Sequence, residues 1–379
     1  MQLSVIILNY NVRYFLEQCV LSVENAIKTL DAEIIVIDNN SSDDSCEMIK
    51  QRFPHIKLIE NKDNLGFPKG NNIGVAQAKG EYICILNPDT VVAEDAFEKI
   101  ASFLAIIENV GIVGVKLIDG TGNFLPESKR GIPTPWVAFT KITGLYKIFP
   151  KSRIFGKYYA QHLSENQTGK VDILVGAFMV MKRNLYNEIG GFDENCFMYS
   201  DDIDLSYRAL KEGKSNYYFH ETLVIHYKGE STVKDETYMK RFQEAMNFFY
   251  KKHFKVSFFF SVFMKMGILF FSFVKMFQGK SKQKRNPQNY ILVSQDEFLK
   301  DVLENKLKNP IQLQKSAQFV FENKNSEVIF DQNFNSFKTI IDAFETNKNK
   351  GMSFKILPKS SRFLIGSNSS FDRGEVIHF

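Results

Sequence analysis

Three apolar runs of strand length and one short strand-like segment lie within the first 90 residues, and each stops on an amide or a carboxylate. LSVIIL (3–8) stops at Asn9, AEIIVID (32–38) ends on Asp38, KLIEN (57–61) ends on Asn61, and YICIL (82–86) runs into Asn87-Pro88-Asp89. A strand that is apolar at nearly every position is buried on both faces, as in a parallel sheet covered by helices. Helical spacing fills the gaps. Phe15, Leu16, Cys19, Val20, Val23 and Ile27 share one face of a helix expected over 13–30. Ser42 or Asp43 caps a second helix that carries Met48 and Ile49, and NNIGVAQAKG (71–80) reads as a third, closed by Gly80. Strand and helix in alternation predict a doubly wound, mostly parallel α/β sheet. Ligands of such sheets bind beyond the carboxyl ends of the strands, where Asn9, Asp38, Asn61 and Asp89 fall. Pro88 cannot donate to a strand ladder, so the fourth strand must finish there. An isolated Asn-Pro-Asp is also an ordinary turn sequence.

The chain of 379 residues is long enough for one large domain and a smaller one. Its net charge of +5 is spread among mixed acidic and basic residues, too weak a bias for a nucleic-acid partner. Cys19, Cys46, Cys84 and Cys196 lie far apart without a CxxC spacing. They read as reduced thiols of a cytosolic protein, not as a disulfide framework or a zinc site. MQLSVIILNYN lacks a basic leader and a small-residue cleavage site, so it reads as a first strand and not as a signal peptide.

Six motifs occur in order: SVIILNYN, VIDNNSSDDS, NLGFPKGNNIG, LNPDT, GAFMVMKR and GGFDENCFMYSDDIDLSYRALKEG. Over about residues 1–250 the chain resembles the family 2 inverting glycosyltransferases, in particular their rhamnosyltransferase-like branch. The resemblance implies the nucleotide-diphospho-sugar transferase (GT-A) fold, with a Rossmann-like sheet. It places the nucleotide base at Asn9, Tyr10 and Asp38, with Asn40 close by, and Asp38 accepting from a pyrimidine N3–H. It has NLGFPKGNNIG close over the nucleotide, with Gly66 and Gly70 allowing close backbone approach and Lys69 and Asn72 as donors to phosphate or sugar. The family's D-x-D metal motif reads here Asn87-Pro88-Asp89. Asp89 would bind a hard divalent cation, Mg²⁺ or Mn²⁺, which neutralises the diphosphate leaving group, and the neutral Asn87 removes one charge from the site. His226, at a strand end in VIHYKGEST, corresponds to a histidine near the diphosphate or the metal. Asp202 is by resemblance the general base, supported by Asp201, Asp204 and Arg208.

The residues alone leave plainer readings open. Ser200 or Asp201 is a good helix N-cap, acidic residues suit a first turn, and Asp204 and Arg208 are an i,i+4 pair. Residues 121–170 read as an insertion or acceptor loop with no legible chemistry.

VSFFFSVFMKMGILFFSFVKMF (256–277) is long and rich in Phe. A lysine at the centre of a spanning helix costs about 2.5–3.5 kcal/mol, and Lys265 lies near the centre of this one. At 100° per residue Ser257, Ser261, Lys265, Ser272 and Lys275 form one narrow polar stripe. Lys251, Lys252, Lys255, Lys280, Lys282, Lys284 and Arg285 flank it. The pattern favours a helix lying in the cytoplasmic leaflet over one that packs on the domain. GKSKQKRNPQ then reads as a linker. NYILVS, a helix near 295–305, QFVFEN, SEVIFD, a helix near 336–346, SFKILP and SRFLIGS read as a small α/β domain without assigned chemistry. The expected organisation is a catalytic domain over 1–250, an amphipathic membrane-associated helix and linker over 251–285, and the small domain over 286–379. The expected activity is transfer of rhamnose or another hexose from a nucleoside-diphosphate sugar to a hydroxyl of a glycan or lipid-linked acceptor. It would proceed with inversion, at the inner face of the cell membrane, in cell-surface polysaccharide synthesis. The alternative is a non-catalytic nucleotide-sugar-binding scaffold protein.

Overall fold

The computed structural model describes residues 1–149, 152, 154–196, 198–227, 236–254, 287–316, 325–367 and 374–379. The amphipathic stretch 256–277, most of the basic linker and the strand expected at QFVFEN lie outside them.

These four segments form β1 (Leu3–Asn9), β2 (Ala32–Asp38), β3 (Lys57–Glu60) and β4 (Tyr82–Leu86), of which β3 is the least buried. They lie in the order β3-β2-β1-β4, all parallel, and the register sets Asn9 beside Asp38. The helices that return the chain are α1 (Arg13–Ala26), α2 (Ser45–Arg52) and α3 (Gly66–Ala76). Helix α1 buries Phe15, Leu16, Cys19, Val20 and Val23 of the face read from its spacing, with Ala26 beside them, and it ends at Ala26, so that Ile27 is its C-cap and only half-buried.

Helix α3 starts five residues earlier than the pattern suggests and ends at Ala76, not at Gly80. Gly66 takes a left-handed φ of 79°, which lets the chain turn straight from Asn64-Leu65 into the helix. The glycines beyond it serve packing. A Cβ at Gly74 would lie 2.5 Å from Ile37 of β2 and 2.6 Å from Ile6 of β1, and one at Gly70 would meet Leu8. Overpacking of this kind costs about 1–3 kcal/mol. NLGFPKGNNIG is therefore mostly helix held against the sheet, and only its start is a turn.

Beyond β4 the sheet becomes mixed. Strands β5 (Thr90–Val92), β6 (Val110–Ile118), β7 (Gly169–Val171), β8 (Phe178–Lys182) and β9 (Ser215–His226) extend it in the order β4-β8-β6-β9-β5, with β7 also on β9. Strand β8 is antiparallel to β4 and β6, and β5 is antiparallel to β9. The valines after Asn-Pro-Asp thus belong to a new strand, and the pairing Thr90↔His226 brings His226 beside that turn. Helices α4 (Ala96–Ile106), α5 (Pro135–Ile142), α6 (Leu145–Ile148), α7 (Arg183–Glu188), α8 (Asp201–Lys211) and α9 (Glu236–His253) complete this part.

The C-terminal part holds β10 (Asn289–Val293), α10 (Glu297–Leu307), β11 (Ile311–Gln314), β12 (Ser326–Asp331), α11 (Phe337–Thr346), β13 (Ser353–Leu357), β14 (Phe363–Gly366) and β15 (Glu375–His378). Its sheet runs β11-β10-β12-β13-β14-β15, parallel through β13 and antiparallel after it. Helix α11 packs on β5 and β9, behind the turn that carries Asp89. Glu94 accepts from the backbone N–H groups of Phe337 (2.8 Å) and Lys338 (2.7 Å), a carboxylate at the helix N-terminus. Lys116, 1% exposed in β6, donates to Asn166 (2.5 Å) and pairs with Glu345 of α11. One apolar core runs through both parts.

Candidate active site

The ends of β1 and β4, the start of α3, the turn before β8, the end of β9 and the start of α8 enclose a cavity of about 310 Å³. It brings Asn9, Tyr10, Gly66, Asn87, Asp201, Asp202 and His226 round one space. These residues span 218 positions of sequence (9 to 226, inclusive).

At the β1–β2 end the polar groups hold one another. Asn9 Nδ2 donates to Asp38 Oδ1 (2.7 Å) and to Ser41 Oγ (3.1 Å), and Asp38 also accepts from Ser41 Oγ (2.6 Å) and Ser41 N–H (2.8 Å). Asp38 is 2% exposed and lies behind the lining that Asn9 and Tyr10 form. Asn40, at a left-handed φ of 60°, points to solvent, and it is Asn39 that reaches the cavity. Asn39 Nδ2 donates to Gly66 carbonyl oxygen (3.1 Å), which ties the β2 end to the start of α3.

Two expected donors stand elsewhere. Lys69 is exposed on α3 and does not line the cavity. Asn72 is committed to the Gly190–Glu194 turn. Its Nδ2 donates to Phe192 carbonyl oxygen (2.9 Å) and Glu194 (3.0 Å), and its Oδ1 accepts from Tyr186 hydroxyl (2.5 Å) and Phe192 N–H (3.0 Å). Geometry thus makes Asn72 a fold residue, while Lys69 stands exposed outside the cavity lining.

Asp89 is 2% exposed, and its Oδ1 is a buried oxygen without a hydrogen bond. It faces His226 Nε2 at 3.3 Å, and Asn87 Nδ2 lies 3.4 Å from the same ring nitrogen. The unbonded carboxylate oxygen suits a hard cation, Mg²⁺ or Mn²⁺, and the imidazole beside it favours the transition metal Mn²⁺. Among the described residues no group of three or more His, Cys, Asp and Glu side chains could hold a metal by itself. A cation here would need further oxygens from phosphate and water.

Asp201 and Asp202 open α8. Ser200 occupies the N-cap position, but its hydroxyl makes no capping bond and lies 3.1 Å from Cys196 Sγ. Asp202 Oδ2 accepts from Arg130 Nη2 at 2.5 Å and from Gly176 N–H at 3.1 Å. Arg130 Nη2 also donates to Leu174 carbonyl oxygen (3.2 Å). Burial first, and the charge of Asp202 second, push the Asp201 carboxyl up to about 7. Asp204 faces away from this pair. It is fully buried, and it accepts from Arg208 Nε (2.7 Å) and pairs with Lys252 (2.9 Å) and His253 (2.6 Å), so it ties α8 to α9. Arg208 Nη2 donates to Gly191 carbonyl oxygen (2.6 Å). Asp204 and Arg208 are thus architectural.

Arg130 carried no signal in the sequence, whereas Asn39 and Gly176 lie within VIDNNSSDDS and GAFMVMKR but were given no role of their own. Arg130 lies 72 positions from Asp202 in the stretch read as an insertion.

Residues 4–190 match the family described as Glycosyl transferase family 2, so the chain carries a glycosyltransferase domain of that family. With it comes the GT-A fold, whose parallel half and mixed half are the sheet described above. The domain is rhamnosyltransferase-like. The N-acetylglucosaminyl-diphospho-decaprenol L-rhamnosyltransferase of Mycobacterium tuberculosis is 25% identical over 244 residues, 62% of this chain and 78% of that protein. The low-salt glycan biosynthesis hexosyltransferase Agl10 of Haloferax volcanii is 27% identical over 216 residues, 55% of this chain and 62% of that protein. Among solved structures, GalNAc-T7 with UDP, GalNAc and Mn²⁺ aligns with a TM-score of 0.48 at 18% identity, covering 65% of this chain and 48% of that one.

Proposed function

We propose that the chain transfers one sugar, rhamnose or another hexose, from a nucleoside diphosphate to a hydroxyl of a lipid-linked glycan, with inversion at the anomeric carbon, in the synthesis of a cell-surface polysaccharide. The observation that carries this is the cavity itself, with Asn9, Asn87 and His226 on one wall and Asp201 and Asp202 on another. The named activity of the mycobacterial relative supports rhamnose and a diphospho-lipid acceptor. Such an acceptor puts the reaction at a membrane surface. Among the described residues no helix is long and apolar enough to cross a membrane.

The donor's base lies against Asn9, Tyr10 and Asn39, with Asp38 fixing the Asn9 amide. Asp89 and His226 would hold Mg²⁺ or Mn²⁺, which supplies charge neutralisation to the departing diphosphate. Asp202 takes the proton of the acceptor hydroxyl. Arg130 and the Gly176 N–H both bind Oδ2, so they stabilise the carboxylate and leave Oδ1 to meet the hydroxyl. Asp201, lifted towards neutrality, carries a proton for much of the working range and spares the site a second negative charge.

Asp202→Asn keeps the shape and cannot accept a proton. It lowers kcat by at least about 10²-fold and leaves donor affinity nearly unchanged. Turnover is read by nucleotide release and donor affinity by calorimetry, and NMR of the product's anomeric proton reads inversion. Near-normal turnover in the folded variant would return Asp202 to a helix-start residue.

A further inference from the structure

Residues 128–164 contain seven Lys and Arg and not one Asp or Glu. This is the stretch whose chemistry the sequence left blank, and Arg130 within it touches Asp202. Two of its cations turn inward, Arg130 to Asp202 and Lys129 to the carbonyl oxygens of Tyr159, Ala160 and Leu163. Among the described residues of the stretch, four large apolar side chains face water. Trp136 is 47% exposed, Ile148 67%, Phe149 49% and Ile154 57%. They account for four of the nine large apolar side chains most exposed among the described residues, all within 19 positions (136 to 154, inclusive). Phe155 joins two of them, with its ring 5.9 Å from that of Trp136 and 5.4 Å from that of Phe149. Lys147 and Lys157 lie in the same short stretch, and Lys141 sits over the Tyr158 ring at 3.7 Å. Beside it lies a hollow of about 580 Å³ lined by Arg130, Lys157, His162 and Lys170, with Asp172 its one carboxylate.

We propose that the α5–α6 segment, through Trp136, Ile148, Phe149 and Ile154, docks this protein on an anionic phospholipid bilayer, with the acceptor side of the active site facing the membrane. Aromatic and aliphatic side chains among lysines, without any carboxylate, match the interface of such a bilayer in both polarity and charge. A protein partner of acidic character would match the charge but gives no reason for four apolar side chains to stay exposed. The position agrees too. Tyr250 hydroxyl donates to Pro133 carbonyl oxygen (2.7 Å), so α9 delivers the chain beside the start of α5 just before the Phe-rich sequence 256–277. The inference rests on the membrane-borne acceptor proposed above and names the surface that meets the membrane.

Trp136 is the only tryptophan of the chain, so tryptophan emission reports on this face alone. The full chain is mixed with phosphatidylcholine vesicles and with vesicles containing phosphatidylglycerol. The anionic vesicles shift the emission to shorter wavelength, and brominated lipid quenches it. In Ile148→Ser/Phe149→Ser, with donor binding intact, partition onto anionic vesicles falls at least about tenfold. Lys147→Glu/Lys157→Glu removes the preference for phosphatidylglycerol. Flotation of the chain with neither a shift nor quenching overturns the assignment, because the contact then lies elsewhere. So does unchanged partition of the double serine variant. A chain that docks this way but transfers no sugar refutes the enzyme reading and leaves the docking face standing.

Discussion

Replacing Arg130 by Met tests how the proposed base is held. The methionine keeps the apolar stem and removes the guanidinium that donates to Asp202 Oδ2 at 2.5 Å. A hydrogen bond to a charged partner in such a setting contributes about 1.5–3 kcal/mol. At about 1.4 kcal/mol per factor of ten, loss of the bond lowers kcat/KM for the acceptor by about 10–100-fold, because the carboxylate that meets the hydroxyl is no longer held, while donor affinity stays near the wild-type value. Arg130→Lys keeps the charge without the planar fork and loses less. Nucleotide release at saturating donor reads turnover, and calorimetry reads donor affinity. A fall in donor affinity as large as the fall in turnover would mean that Arg130 only props Leu174 and the fold. Unchanged turnover would remove it from the site altogether.

Asp89→Ala abolishes the dependence of nucleoside-diphosphate binding on Mn²⁺. Calorimetry with and without the metal checks it, and a metal dependence retained in the variant rules out Asp89 as a ligand. Asp201→Asn stabilises the chain increasingly as pH rises. A carboxyl raised to about 7 in the folded state from about 3.8 gives stability that is full at low pH and drains away up to about pH 7, so the neutral amide gains on it over that window. Thermal melts at pH 5 and pH 8 show the difference growing, and a constant difference contradicts a buried Asp201 carboxyl raised by burial and the charge of Asp202.

The parallel half of the sheet was legible because β1, β2 and β4 are apolar at nearly every position and the helices between them carry apolar residues at helical spacing. Where the chain left that regime, local pattern stopped short. Residues 66–70 hold three glycine or proline positions, which read as a loop by composition, yet Gly66 starts α3 and Gly70 and Gly74 exist so that it can lie close on β1 and β2. Strand β5 is three residues long and is a strand only because β9, more than a hundred positions later, pairs with it. Strands β11 and β15, four residues each, were missed for the same reason.

The site divides along the same line. Groups at the ends of parallel strands could be named in advance, since topology alone puts them in the crevice. That reasoning fixes position and not the direction of a side chain. Asp38 and Asn40 were both expected at the base, and the structure turns one inward onto Asn9 and Ser41 and the other to water, with Asn39 left facing the cavity. Arg130 shows the sharper limit. Its neighbours in sequence are a short 3₁₀ turn at Pro126–Ser128 and the Gly-Ile-Pro-Thr stretch before α5, and neither has a period to read. What places it is the bridge Arg130↔Ile173, which carries it to the strand-like segment leading into Gly176 and so to Asp202. The acid-free character of 128–164 now has two physical sources in one stretch. At its start a cation is needed inward, against a carboxylate, and from Trp136 onward a surface without carboxylates is what an anionic bilayer would select. One segment so built can set the acceptor hydroxyl at Asp202 while its outer face holds the lipid that carries that hydroxyl.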